Sequence, residues 1–176
     1  MDETLLRAAR SGDRDALTAL CETLYPSLRR FFLSLGGAQE ADDLTQEALM
    51  RMLENLPRYR ALPGARFEGW VFRIAYRLFV DERRRRPTLP LTDFECADFS
   101  GDPAEATARR DRATSVRRAV EALPDELRAM ISMRYELEMS HREIARALGV
   151  GSARVKWRLH DALKRLERAL EGEEKT

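Results

Sequence analysis

The stretch HREIARALGVGSARVKWRLHDALKRL runs from His141 to Leu166. Ser140, just before it, and Glu143 form a capping-box pair that starts a helix. Gly149 ends that helix after little more than two turns. Ser152 is then expected to cap a second, longer helix with Val155, Leu159, Ala162, Leu163, Leu166 and Leu170 inward. A short helix, a glycine turn and a longer helix make the helix-turn-helix pattern.

The chemistry of the stretch lies on the side away from its apolar stripe. Arg142, Arg146, Arg154, Lys156, Arg158, Lys164 and Arg165 face only Glu143 and Asp161, although the whole chain has a formal net charge of +1. At about 100° per residue, Trp157 points away from Val155, Leu159 and Ala162. A tryptophan among cations on the outer face of a recognition helix suits duplex DNA. Cations there neutralise phosphates, Arg154 or Arg158 could instead read guanine, and Asp161 could accept from cytosine N4. The plainer alternative is a solvated charged face with Trp157 covered by another element.

Upstream, apolar residues recur at helical spacing. Ala16, Leu17, Leu20, Leu24, Leu28, Phe31 and Leu35 form a stripe that stops at Gly36-Gly37. A second helix is predicted from Gln39 to Leu56, halted by Pro57, with Leu44, Ala48, Met52 and Leu56 inward. A third is predicted from Arg66 to Arg85, ahead of Pro87, with Phe67, Trp70, Val71, Ile74 and Leu78 inward and Tyr76 and Phe79 off the core stripe. Aromatics among Arg73, Arg77 and the run Arg83 to Arg86 suit stacking on unpaired bases; the alternative is a wide apolar face with a dipole-complementing cluster at the helix end.

Between Pro87 and Glu105 the periodicity fails. That stretch holds Asp93, Glu95, Asp98, Asp102 and Glu105 but no Lys or Arg, which reads as an acidic linker. Periodicity resumes near Arg109, with Val116, Val120 and Leu123 on one stripe, and LPDEL restarts a helix at Pro124. The expected fold is therefore all-α: two small helical domains joined by a flexible acidic linker, the second a helix-turn-helix. The divisions are 1–86, 87–108 and 109–176.

Composition narrows the function. The chain has 176 residues, of which 44% are hydrophobic and 35% charged. Cys21 and Cys96 are the only cysteines and His141 and His160 the only histidines, so neither a disulfide framework nor a zinc site is expected. The opening MDETLLRAARSGDRDAL has no signal-peptide character and no run suits a membrane span, so a cytoplasmic protein is expected. No phosphate-cradling loop or nucleophile-base pairing is apparent, no cofactor or small-molecule substrate is expected, and an enzyme acting on nucleic acid is disfavoured. The acidic stretch EADDLTQEALMRMLE carries Asp42, Asp43, Gln46 and Glu47, which suit either a helix start or a protein-docking face.

Together these segments resemble a bacterial sigma factor of the sigma-70 family, in its extracytoplasmic-function (ECF) group. DDLTQEALMRML is similar to the part of region 2 that binds the clamp helices of the RNA polymerase β′ subunit. FEGWVFRIAYRLFVDERRRR is similar to the part that melts and reads the −10 element, and the helix-turn-helix resembles region 4, which reads −35. The resemblance implies core-polymerase contacts at Asp42, Asp43, Gln46, Glu47 and Met50. It implies single-stranded −10 contacts at Tyr59, Arg60, Arg66, Phe67, Trp70, Arg73, Tyr76 and Arg77. It implies double-stranded −35 contacts at Ser152, Arg154, Lys156, Trp157, Arg158, Asp161 and Arg165. It also implies contact with the β flap, control by an anti-sigma factor, often membrane-bound, and no catalytic residues. The chain departs from the family pattern at Arg77, usually Asn, at Arg154 and Trp157 in the recognition helix, and at Asp161, commonly Arg; the promoter sequence read does not transfer. The runner-up is a stand-alone helix-turn-helix repressor or activator.

Overall fold

The computed structural model describes residues 2–36, 38–85 and 114–173, without the side chains of residues 38, 39, 172 and 173. The acidic stretch 87–108, Arg86, Cys96 and the segment from Arg109 to residue 113 lie outside the described residues. All regular elements among the described residues are helical. They are α1 (Glu3–Arg10), α2 (Arg14–Leu35), α3 (Ala38–Asn55), α4 (Phe67–Arg85), α5 (residues 114–121), α6 (Asp125–Ile131), α7 (His141–Leu148) and α8 (Ser152–Glu173).

Helix ends follow local chemistry. The Asp2 carboxylate accepts from Thr4 N at 2.9 Å to start α1, and the Asp13 carboxylate accepts from Ala16 N at 2.9 Å to start α2. Gly36, at φ 125°, ends α2 in a conformation costly for any residue with a Cβ. Leu56–Arg58 adds one tighter turn after α3 at the predicted Pro57 stop.

Leu20, Leu24, Leu28, Phe31 and Leu35 of α2 are buried against α3 and α4. Phe31 meets Phe32 and Phe72 edge-on, with ring centroids 5.6 and 5.4 Å apart. The α4 stripe differs from expectation: the buried residues are Phe67, Val71, Phe72, Ala75, Leu78 and Phe79, whereas Trp70 and Ile74 are only half-buried. Phe79, expected off the core, is 5% exposed, because α4 is enclosed by neighbours over a wider arc than a single stripe covers.

In the C-terminal half, α6 passes into a π-helical turn at Ser132–Glu136, and Glu138 adopts φ 51°. Arg134 Nη1 donates to the Met139 carbonyl at 3.1 Å across that bend. The capping box of α7 is formed: Ser140 N donates to Glu143 Oε2 at 2.8 Å, and Glu143 N donates to Ser140 Oγ at 3.3 Å. Gly149 closes α7 in the left-handed region at φ 71°, ψ 33°.

Three expectations are corrected here. Ser152 is the first helical residue of α8, and the Gly151 carbonyl takes the opening bond from Val155 N at 3.1 Å. Val116 and Leu163 are exposed; Ala119 and Ala162 hold the inward places.

The two halves do not stand apart. One apolar cluster runs from α2, α3 and α4 into Met130, Met133, Met139, Ile144 and Ala147 of the second half. A smaller cluster of Leu123, Leu127 and Ala162 seats α8 on α6.

Candidate nucleic-acid and polymerase interfaces

α8 presents its polar face as its spacing predicts. Val155 and Leu159 are buried, and Trp157 is 64% exposed. The Arg158 guanidinium lies 5.9 Å from the centre of the Trp157 ring, within cation–π range. Arg154 and Arg158 each lie 3.6 Å from a carboxylate oxygen of Glu126 on α6, one to each oxygen. Arg165 Nε donates to Asp161 Oδ2 at 3.1 Å, so Asp161 is already paired along its own helix. Ser152 and Lys156 are exposed beside them. Of the seven predicted residues, Ser152, Arg154, Lys156, Trp157 and Arg165 are exposed on α8, whereas Arg158 and Asp161 are half-buried; the exposed set presents cations and an indole suited to a groove.

The second set gathers where α3, the turn after it and α4 meet. Arg51, Asn55, Arg58, Arg60 and Arg77 surround an open pocket of about 370 Å³, with Tyr59, Trp70 and Ile74 as its apolar part. Tyr59 packs on Phe67 and Trp70 at 5.0 and 4.9 Å between centroids, and Phe67 on Trp70 at 5.4 Å. Tyr59 is 6% exposed and Phe67 4%, so these two brace the half-buried Trp70 instead of offering open ring faces. Burial pushes the Tyr59 hydroxyl above the usual tyrosine range, with the Glu68 carboxylate adding to it. Burial also raises Tyr76, followed by the carboxylates of Glu126 and Asp125. Arg66, Arg73 and Arg77 are exposed. A concave, basic, aromatic-backed site fits an unpaired base with its phosphates.

The third set lies on α3. Asp43, Gln46 and Met50 are exposed at helical spacing and share one face. Asp42 is half-buried; it accepts from Arg29 Nε at 2.6 Å and from the Tyr25 hydroxyl at 3.3 Å. Glu47 accepts from Arg51 Nε at 2.7 Å within the helix. Asp43, Gln46 and Met50 therefore stand more openly than the two acids that accompany them.

A model of sigma-70 region 2 matches residues 20–87 and one of sigma-70 region 4 matches residues 113–166. The chain is 32% identical over 169 residues to the ECF RNA polymerase sigma factor SigL of Mycobacterium tuberculosis, covering 92% of this chain and 94% of that one. It belongs to the ECF group of the sigma-70 family.

The ECF sigma factor SigW of Bacillus subtilis is 25% identical, covering 94% of each chain. Two solved structures share the fold: CnrH in complex with the cytosolic domain of CnrY has a TM-score of 0.70 and 23% identity, covering 97% of each chain. RpoE with the anti-sigma factor NepR from Bartonella quintana has a TM-score of 0.72 and 20% identity, covering 88% of this chain and 96% of that one. Members of this family act in transcription initiation and are not enzymes.

Several residues of this sigma factor stand out only in three dimensions. Arg83 Nε lies 3.1 Å from Asp125 Oδ2, linking the end of α4 to the start of α6. The same carboxylate pairs with Arg128, whose side chain is 3% exposed. Arg146 Nη1 donates to the Gly64 carbonyl at 3.1 Å. Arg66 Nε lies 3.8 Å from Glu143 Oε1. Gly69, inside the third predicted helix, lies where α7 packs on α4: a Cβ there would meet Glu143 and the Met139 methyl at 3.9 Å, an ordinary contact.

Proposed function

We propose that this sigma factor binds core RNA polymerase and directs promoter-specific initiation. In this reading α3 docks on the β′ clamp helices through Asp43, Gln46 and Met50, flanked by Asp42 and Glu47, and the second unit also meets the β flap. α8 reads duplex −35 DNA, and the pocket between α3 and α4 takes unpaired −10 bases. The units are 1–86 and 109–176, with 87–108 as the linker. The observation that carries the reading is the pairing, in one chain, of an exposed cation-flanked Trp157 on a recognition helix with a separate basic pocket backed by Trp70. One surface suits a duplex groove and the other a splayed base; a duplex-only repressor has no use for the second.

Control by an anti-sigma factor is part of this proposal. A structural relative solved with the anti-sigma factor NepR supports it, as does the family itself. The test is transcription in vitro from a genomic fragment library with core polymerase. Discrete new starts that require the chain are expected. Tight duplex binding by the chain alone, with no new starts, would leave the repressor reading standing instead.

A further inference from the structure

The outer face of α8 carries an apolar strip between two cationic flanks. Ala153 and Trp157 stand four residues apart, so they share one face of the helix, and both are exposed. At about 100° per residue, Lys156 falls on one flank of that strip, and Arg154 and Arg158 fall on the other. Val155 and Leu159, on the opposite side of the helix, are buried. The strip therefore faces straight away from the protein.

The side chains best suited to read bases by hydrogen bonds are engaged with carboxylates or cations of the chain itself. Arg154 and Arg158 each lie 3.6 Å from an oxygen of Glu126, which draws both toward α6. Asp161 accepts from Arg165 Nε at 3.1 Å and is half-buried. Trp157 is not engaged in this way. At 64% it is more exposed than any other large hydrophobic side chain among the described residues. An indole has one N–H donor and no acceptor, so what it offers a base edge is chiefly apolar area. Ala153 adds a methyl beside it. Such area gains free energy when an apolar group covers it. In the major groove each base pair presents donors and acceptors, and the apolar group among them is the C5 methyl of thymine.

Resting on the reading of α8 as the duplex-binding helix, we propose that Trp157 is a specificity-determining residue that reads the C5 methyl of a thymine, with the Ala153 methyl extending the contact. Lys156 on one flank and Arg154 and Arg158 on the other then serve the phosphates that border the groove, which set position and not sequence. The −35 element of this chain accordingly contains a thymine, on either strand, whose methyl is required.

Replacing that thymine with deoxyuridine tests this without touching the protein. The exchange removes the C5 methyl and leaves base pairing and the groove donors and acceptors in place. The full chain, with and without core polymerase, is used to enrich duplexes from a random pool. Each thymine of the enriched −35 segment is then replaced singly by deoxyuridine, and affinity is measured for the natural chain and for Trp157→Gln.

At one position, deoxyuridine is expected to weaken binding by the natural chain about fourfold, the worth of one buried methyl. The same exchange should leave binding by Trp157→Gln unchanged, because the ring that met the methyl is gone. A neutral exchange at every position, or an enriched segment without thymine, overturns methyl reading while leaving α8 as a duplex-binding helix. A penalty of equal size in Trp157→Gln overturns the assignment to Trp157. Enrichment of no duplex, with or without core polymerase, overturns both methyl reading and the reading of α8.

Discussion

Arg29 Nε lies 2.6 Å from Asp42 Oδ1, so the first acid of the Asp42-Asp43 pair binds α3 to α2 while the second faces solvent. Neighbours in sequence therefore do different work. The hydrogen bond and charge of Asp42 also raise the Arg29 guanidinium above its ordinary value.

Asp42→Ala is expected to cost about 0.5–1 kcal/mol, the scale of a half-exposed ion pair, with a modest loss of core binding. Asp43→Lys combined with Met50→Ala should leave the melting temperature in place and sharply weaken capture by core polymerase. Thermal unfolding and a pull-down, run side by side, separate the two. An unchanged pull-down by the second variant would move the docking face off α3.

Trp157→Ala should leave thermal stability nearly unchanged, because the ring is mostly in water. It should cost about 1–3 kcal/mol of discrimination between a −35 duplex and random duplex, the scale of one specific base contact. A large fall in melting temperature with intact discrimination would show that the ring packs rather than reads.

Glu126 holds Arg154 and Arg158 by one oxygen each. Glu126→Gln frees both guanidiniums and removes a negative charge beside the phosphates. Non-specific duplex affinity should rise several-fold, and its logarithm should fall more steeply with salt. Titration by fluorescence anisotropy at several salt concentrations reads both; a weaker, flatter response would mean that Glu126 positions the arginines for DNA.

Asp125 serves Arg83 and the buried Arg128 together. Asp125→Asn should destabilise the fold by about 1.5–3 kcal/mol, because Arg128 would lose its charged partner in a nearly dry position. Urea unfolding checks this. A change below about 0.5 kcal/mol would show that Arg128 finds another acceptor.

Much of this was legible in the chain itself. Ser140 and Glu143 announced α7, Gly149 its end, and the spacing of Val155 and Leu159 set Trp157 outward; such signals act within a few residues and need no partner. The errors lie where a second neighbour matters. Phe79 falls off the predicted core stripe yet is buried, because a single stripe cannot show that α4 is enclosed over a wide arc. Tyr59 and Phe67 are base contacts only by the family resemblance, and sequence does not distinguish an aromatic that touches a ligand from one that, like these two, lies buried beside Trp70. Val116 and Leu163 share the spacing of inward residues yet are exposed, because periodicity cannot tell which edge of an apolar stripe a neighbour reaches. The pairing of α4 with α7 has no local signal, because Arg66 and Glu143 are far apart along the chain.

The apolar cluster shared by the two halves bears on how this protein behaves in solution. Parting α7 from α4 would bring Met139 and Ala147, now buried, into water together with the indole of Trp70. Such a patch attracts other copies as readily as it attracts a partner. A Gly69→Leu variant, whose added side chain would press on Glu143 and Met139, should therefore self-associate at concentrations where the natural chain stays dispersed. Light scattering would record this as a rise in mean particle size, and core polymerase, added in excess, should reverse it.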